Sequence, residues 1–223
     1  MAIMGRRAAT RLAAGSALIL SVGLGGCAAP NQYTDVSSPG GDFRIAIPSA
    51  WHQVSGTSLD SELRARGIYL PGLWKVAYEP RPQASAADLL SFSISRPFVF
   101  AEFGRFSSAV QGEMSFEMLR DAFLPINPAM PQSAVRRSFT LTGFRMIRSE
   151  ILRLGHGTKG VRETYDYSRA GWPDTFDMDA VTNGGSTVMF ILLIHCSTAC
   201  YDNYRAVIER VMSSVTVDGS GPG

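Results

Sequence analysis

Val188-Met-Phe-Ile-Leu-Leu-Ile194 is a run of apolar residues with no polar interruption. A strand with one wet face alternates apolar and polar residues. A strand apolar on both faces belongs inside a sheet that is covered on both sides. The segment Ser186–His195 is therefore expected at the centre of the sheet. Immediately after it, Tyr201, Tyr204, Val207, Ile208 and Val211 recur at helical spacing. They predict a C-terminal amphipathic helix, with Asp202 near its positive end. This pairing implies an α+β fold, a mainly antiparallel sheet with helices on both faces.

Working outward, Phe43, Ile45 and Ile47 alternate with Arg44 and Ala46 and predict a half-buried strand that Pro48 ends. Thr57–Arg66 reads as a short helix capped by Thr57 or Ser58, with Leu59 and Leu63 on one face and Gly67 stopping it. Strands are expected at Trp74–Tyr78 and Leu90–Ser95. A helix is expected between Ser108 and Leu124, where Met114, Met118, Leu119, Ala122 and Phe123 form one stripe. The strand candidates Ala134–Leu141, Phe144–Arg153, Lys159–Ser168 and Thr175–Thr182 follow, joined by turn-forming residues. Asn183-Gly184 gives the strongest hairpin signal.

The N-terminus is of another kind. Arg6, Arg7 and Arg11 form a basic region without acids, and Leu12–Leu24 is apolar and small. Leu24-Gly25-Gly26-Cys27 then resembles the lipobox of bacterial lipoproteins. The resemblance implies removal of the signal peptide 1–26 and lipidation of Cys27. The protein would then sit on the cell membrane or outer membrane by that lipid, facing the extracytoplasmic side. Residues 27–41, rich in Pro, Ser and Gly, read as a flexible lipid-anchored tether. Residues 42–217 read as one α/β domain and 218–223 as a disordered tail. Without residues 1–26, 18 Lys and Arg face 19 Asp and Glu, a net charge of −1. That balance gives no basic surface for a nucleic-acid partner.

The opening Phe43-Arg-Ile-Ala-Ile-Pro48 with Ala50-Trp51 is similar to that of PsbP-type proteins. These are the extrinsic photosystem II subunit and its bacterial lipoprotein relatives. At the other end, the apolar strand Val188–Ile194 followed by Tyr204-Arg-Ala-Val-Ile-Glu-Arg-Val-Met-Ser-Ser-Val215 also resembles that group. The resemblance implies a PsbP-like α/β/α sandwich that binds or assembles and does not catalyse. It transfers no site residue.

Cys196 and Cys200 bracket a turn between the central strand and the last helix. Outside the cytoplasm they are expected to form a disulfide. With Cys27 lipidated, no cysteine is left over. The alternative is a metal-handling site built from His195, Cys196 and Cys200. A second alternative is an envelope hydrolase or redox enzyme whose residues are distant in sequence. No Gly-x-Ser-x-Gly elbow supports it, and no cofactor motif is present. His156 lies in a glycine-rich turn without P-loop spacing. Asp177 and Asp179 share one strand face and read as solvated.

Phe98, Phe100, Phe103 and Phe106 crowd the stretch Pro97–Phe106 with no clear period, and Pro97 and Gly104 break regular structure around them. They are expected to form an irregular segment, some of it lining an apolar cleft for a lipid-like ligand or an envelope protein. Leu124–Pro131 reads as a stiff connector. The function expected overall is a non-enzymatic envelope lipoprotein that binds a protein partner or an apolar ligand near the membrane.

Overall fold

A computed structural model describes residues 32–68, 72–106, 114–124, 126, 141–155 and 157–217. The expected signal peptide, Cys27 and the start of the segment read as tether lie outside these residues. So do His156, most of the expected strand 134–141 and of the connector 124–131, the start of the helix expected between 108 and 124, and the tail 218–223.

Ten strands are present among the described residues. They are β1 (Tyr33–Ser37), β2 (Phe43–Pro48), β3 (His52–Val54), β4 (Trp74–Glu79), β5 (Phe98–Arg105), β6 (Thr142–Leu152), β7 (Lys159–Arg169), β8 (Trp172–Thr182), β9 (Val188–Ser197) and β10 (Thr216–Val217). A small sheet has the order β1-β2-β10. The main sheet has the order β3-β4-β5-β9-β8-β7-β6, with antiparallel pairing throughout. β9 lies between β5 and β8, buried on both faces, as its unbroken apolar run requires. The helices α1 (Gly56–Ala65) and α2 (Phe116–Arg120) and the 3-10 turn Ala86–Leu90 cover one face of the main sheet. The helix α3 (Thr198–Met212) and the small sheet cover the other. This is the α/β/α layering expected.

Each face has its own core. Leu59, Leu63, Leu119, Phe98, Phe100, Ile191 and Leu193 pack on the α1 face. Phe43, Ile45, Ile47, Val99, Leu192, Ile194, Ile208 and Val211 pack on the α3 face. Successive residues of β5 and β9 alternate between the two cores, as the strand period demands. Phe43 of β2 stacks on Phe190 of β9, which seats the small sheet on the large one.

The structure corrects several boundaries. Tyr33–Ser37, inside the segment read as tether, pairs with β2 from Tyr33↔Pro48 to Ser37↔Arg44. Order therefore begins before Asp42. The cap of α1 is Ser55, whose Oγ accepts from Ser58 N at 3.2 Å. At Gly56 a Cβ would lie 2.7 Å from the Lys75 carbonyl, so only glycine lets α1 approach β4 this closely. Leu90–Ser95 is not a strand: a 3-10 turn occupies Ala86–Leu90, and Ser93 has φ 64°. Its Phe92 and Ile94 still reach the core, which explains the misleading alternation. At the Asn183-Gly184 hairpin the left-handed residue is Ser186, with φ 52°. Asn183 Oδ1 accepts from Thr187 N at 2.8 Å and closes the turn through its side chain.

Candidate ligand-binding cleft

On the α1 face, a cleft opens over β5 and β9. Leu63 of α1 and Ile68 form one wall of the cleft, Leu89 and Leu90 of the 3-10 turn a second, and Ala122 and Phe123 after α2 a third. Its floor is Phe100, Glu102 and Gly104 of β5 with Met189 and Ile191 of β9, and Leu73, Arg105 and Phe106 complete the rim. The space is ≈ 310 Å³, at the lower end of the range for small-molecule sites. Gly104 contributes to the opening. A Cβ there would collide with the Leu73 side chain that leans across the strand.

Glu102 is the polar group of the floor. It is 8% exposed, and among the described residues nothing hydrogen-bonds its carboxyl. Its cross-strand neighbour is Lys75. The Lys75 ammonium donates to Asp60 Oδ1 at 2.8 Å and lies 3.4 Å from the Leu73 carbonyl oxygen. Burial pushes the Glu102 carboxyl up to about 7. Lys75 pulls the other way, and Asp60 pushes up again.

The four phenylalanines separate by position. β5 is a regular strand, not an irregular segment. Phe98 and Phe100 face α1, and Phe103 faces α3. The run looked aperiodic because both faces of this strand are apolar. Phe98 is core, packed beside the His195 ring at 5.9 Å between centroids. Phe103 is buried in the opposite core. Phe100 lines the cleft and contacts Phe123, with ring centroids 6.1 Å apart. Phe106 is half-buried at the rim, fixed by its N–H donating to Thr187 O at 2.9 Å.

The sequence reading missed Glu102, Lys75 and Asp60. The available signal was one acid in Phe98-Val-Phe-Ala-Glu102, two residues from Phe100 and therefore on the same face.

A second buried polar region lies under α3. Asp177 and Asp179 are buried, at 0% and 2% exposure, and not solvated. α3 roofs this end of the sheet, which the alternation of β8 alone could not reveal. Arg162 binds Asp177 in bidentate fashion, at 2.9 and 2.7 Å. Thr164 and Tyr201 donate to the same carboxylate at 3.1 and 2.7 Å. Glu209 of α3 pairs with both Arg162 and Arg148, at 3.0 and 3.1 Å. Burial works against the charge on Arg162, but Asp177 and Asp179 outweigh it and hold it more firmly protonated. Burial pushes the Asp179 carboxyl up to about 8, against the pull of Arg162.

Cys196 and Cys200 form the expected disulfide, with Cα atoms 5.9 Å apart. The bridge ties the end of β9 to the first turn of α3, and it leaves neither thiol to ligate a metal. His195 belongs to the opposite face, stacked on Phe176 with centroids 5.2 Å apart. Strand alternation therefore separates the residues of the metal alternative. Asp174 Oδ2 lies 3.7 Å from His195 Nδ1, with both side chains buried. Asp174 Oδ1 accepts from Ser93 N at 2.8 Å. Among the described residues no helix is long and apolar enough to cross a membrane.

No family model matches the chain, and no curated protein sequence matches it. Solved structures of similar fold include cyanobacterial PsbP (CyanoP) from Synechocystis sp. PCC 6803, at 13% identity and TM-score 0.49, covering 88% of this chain and 99% of that one. LpqN, involved in cell envelope biogenesis of Mycobacterium tuberculosis, is 14% identical with TM-score 0.44, covering 83% and 90%. The Ran-binding protein Mog1p of Saccharomyces cerevisiae is 9% identical with TM-score 0.45, covering 83% and 95%. The likeness concerns the fold.

Proposed function

We propose that the protein is a non-enzymatic, lipid-anchored envelope protein that holds an apolar ligand in the cleft between β5, β9 and α1. The observation that carries this reading is the ≈ 310 Å³ space itself, walled largely by aliphatic and aromatic side chains beside the core of the α1 face. An apolar cleft of this size gains by covering a ligand's hydrocarbon surface. Phe100 and Phe106 belong to the ligand surface, and Phe98 and Phe103 support it.

A lipid on Cys27 would keep the protein at a membrane, a source of apolar molecules. The signal peptide 1–26 and the small residues before Cys27 support the anchoring. Labelled fatty acid fed to cells should enter the wild-type protein and not Cys27→Ala. Incorporation into both, or into neither, would remove the membrane from the proposal. Native mass spectrometry of the full protein released from membranes should show one bound apolar molecule per chain. A protein that comes off the membrane with an empty cleft, and stays empty with added alkyl probes, would overturn the ligand-binding reading.

A further inference from the structure

We propose that the cleft selects an amphiphile with an apolar body and a cationic, hydrogen-bond-donating head, which sits on the Glu102 carboxyl. This rests on the ligand-binding reading above and names the ligand class.

The argument is one of charge and hydrogen bonding. Two carboxyls, Glu102 and Asp60, share one ammonium, Lys75, and that ammonium is bonded to Asp60 at 2.8 Å. Glu102 is 8% exposed, and no hydrogen bond reaches its carboxyl among the described residues. A buried carboxyl without a partner is unfavourable when ionised. It therefore keeps a proton or takes a cation. Arg105 does not supply that cation. Its side chain is 63% exposed, and it pairs at 3.7 Å with Asp42 on the other side of the strand.

Apart from Arg105 at the rim, the rest of the described lining is apolar, so the ligand combines a hydrocarbon body with a donor at one end. An anionic head on the floor would meet the Glu102 carboxyl and is selected against there. Burial holds Glu102 near a pKa of about 7, with Lys75 and Asp60 as its charged neighbours. An ammonium head displaces its proton to solvent and leaves a charge-assisted pair. The volume is about twice that of an engineered protein cavity of ~150 Å³ that binds benzene, so a single medium alkyl chain is the expected body.

Calorimetric titration of the full chain with decylamine, decan-1-ol and decanoate at pH 8 tests this. Decylamine should bind about tenfold tighter than decan-1-ol, the scale of one added charge-assisted bond. Decanoate should bind weakest. In Glu102→Gln the ratio of amine to alcohol affinity should fall to near one. Should that variant fold poorly, the same ratio in the wild type should rise as pH passes upward through about 7. Equal affinities, tightest binding of decanoate, or an amine preference that survives Glu102→Gln would overturn the head-group assignment while leaving the cleft as a site. Saturable binding of none of the three probes would overturn both.

Discussion

Two buried acids on opposite faces of one sheet have been treated differently by the fold. Asp177, under α3, accepts a bidentate Arg162 and the hydroxyls of Thr164 and Tyr201. Glu102, on the α1 face, has no hydrogen-bond partner among the described residues and borders a space of ≈ 310 Å³. Around Asp177 the carboxylate is satisfied by three side chains, Arg162, Thr164 and Tyr201, and the network holds α3 to the sheet. An unsaturated carboxyl beside an apolar void leaves a ligand both a surface to bury and a bond to make.

The contrast is sharpest under mutation. Asp177→Ala removes the acceptor shared by Arg162, Thr164 and Tyr201 and leaves Arg162 to Glu209 and the more distant Asp179. Denaturant unfolding should show a loss of about 3–5 kcal/mol, as for a buried pair that loses one partner. A loss below about 1 kcal/mol would mean that water already solvates the site. Phe98→Ala, deep in the core, should also cost about 3–5 kcal/mol.

Glu102→Gln should act in the opposite sense. The Glu102 pKa rises from 4.5 in the unfolded chain to about 7 in the fold. Below 4.5 both states hold the proton and the fold loses nothing. As pH climbs the unfolded chain ionises first, so stability falls, and it levels off above about 7. The span corresponds to about 3 kcal/mol. Glu102→Gln should therefore be stabilising at pH 8, nearly neutral at pH 4, and flatter between. Asp179, raised from 3.8 to about 8, adds a fall of the same sign, which should persist in Glu102→Gln and shrink in Asp179→Asn. A stability profile that rises over this range would contradict both assignments.

Smaller effects separate the regions further. Cys200→Ser opens a very short loop and should cost about 2 kcal/mol, felt where β9 meets α3. Alkylation of exported protein without reductant should modify neither Cys196 nor Cys200. Phe106→Ala, at the cleft rim, should cost about 1 kcal/mol or less and weaken decyl-ligand binding. Equal destabilisation by Phe98→Ala and Phe106→Ala would make the rim part of the core.

How much of this was legible in the sequence depended on the range of each signal. The central strand, the terminal helix, β2 and the disulfide are local patterns, and the chain spells them out. Leu90–Ser95 shows alternation without forming a strand, because Phe92 and Ile94 reach the core from an irregular loop. β5 shows no alternation and is a strand, because both of its faces are covered. The fate of Asp177 and Asp179 depended on α3, a separate element beyond the whole of β9. Glu102 could be placed on the face of Phe100 from its spacing. Its isolation could not be read, because that depends on Lys75 being occupied by Asp60 of α1.

The most direct test of the cleft is to fill it. Ala122 lies in its wall, and Ala122→Trp places an indole in the space. Titration with decylamine should give one saturable site in the wild type and none in Ala122→Trp, which should melt at or above the wild-type temperature because a void has been filled. Undiminished decylamine binding by a folded Ala122→Trp would place the ligand elsewhere and contradict the account.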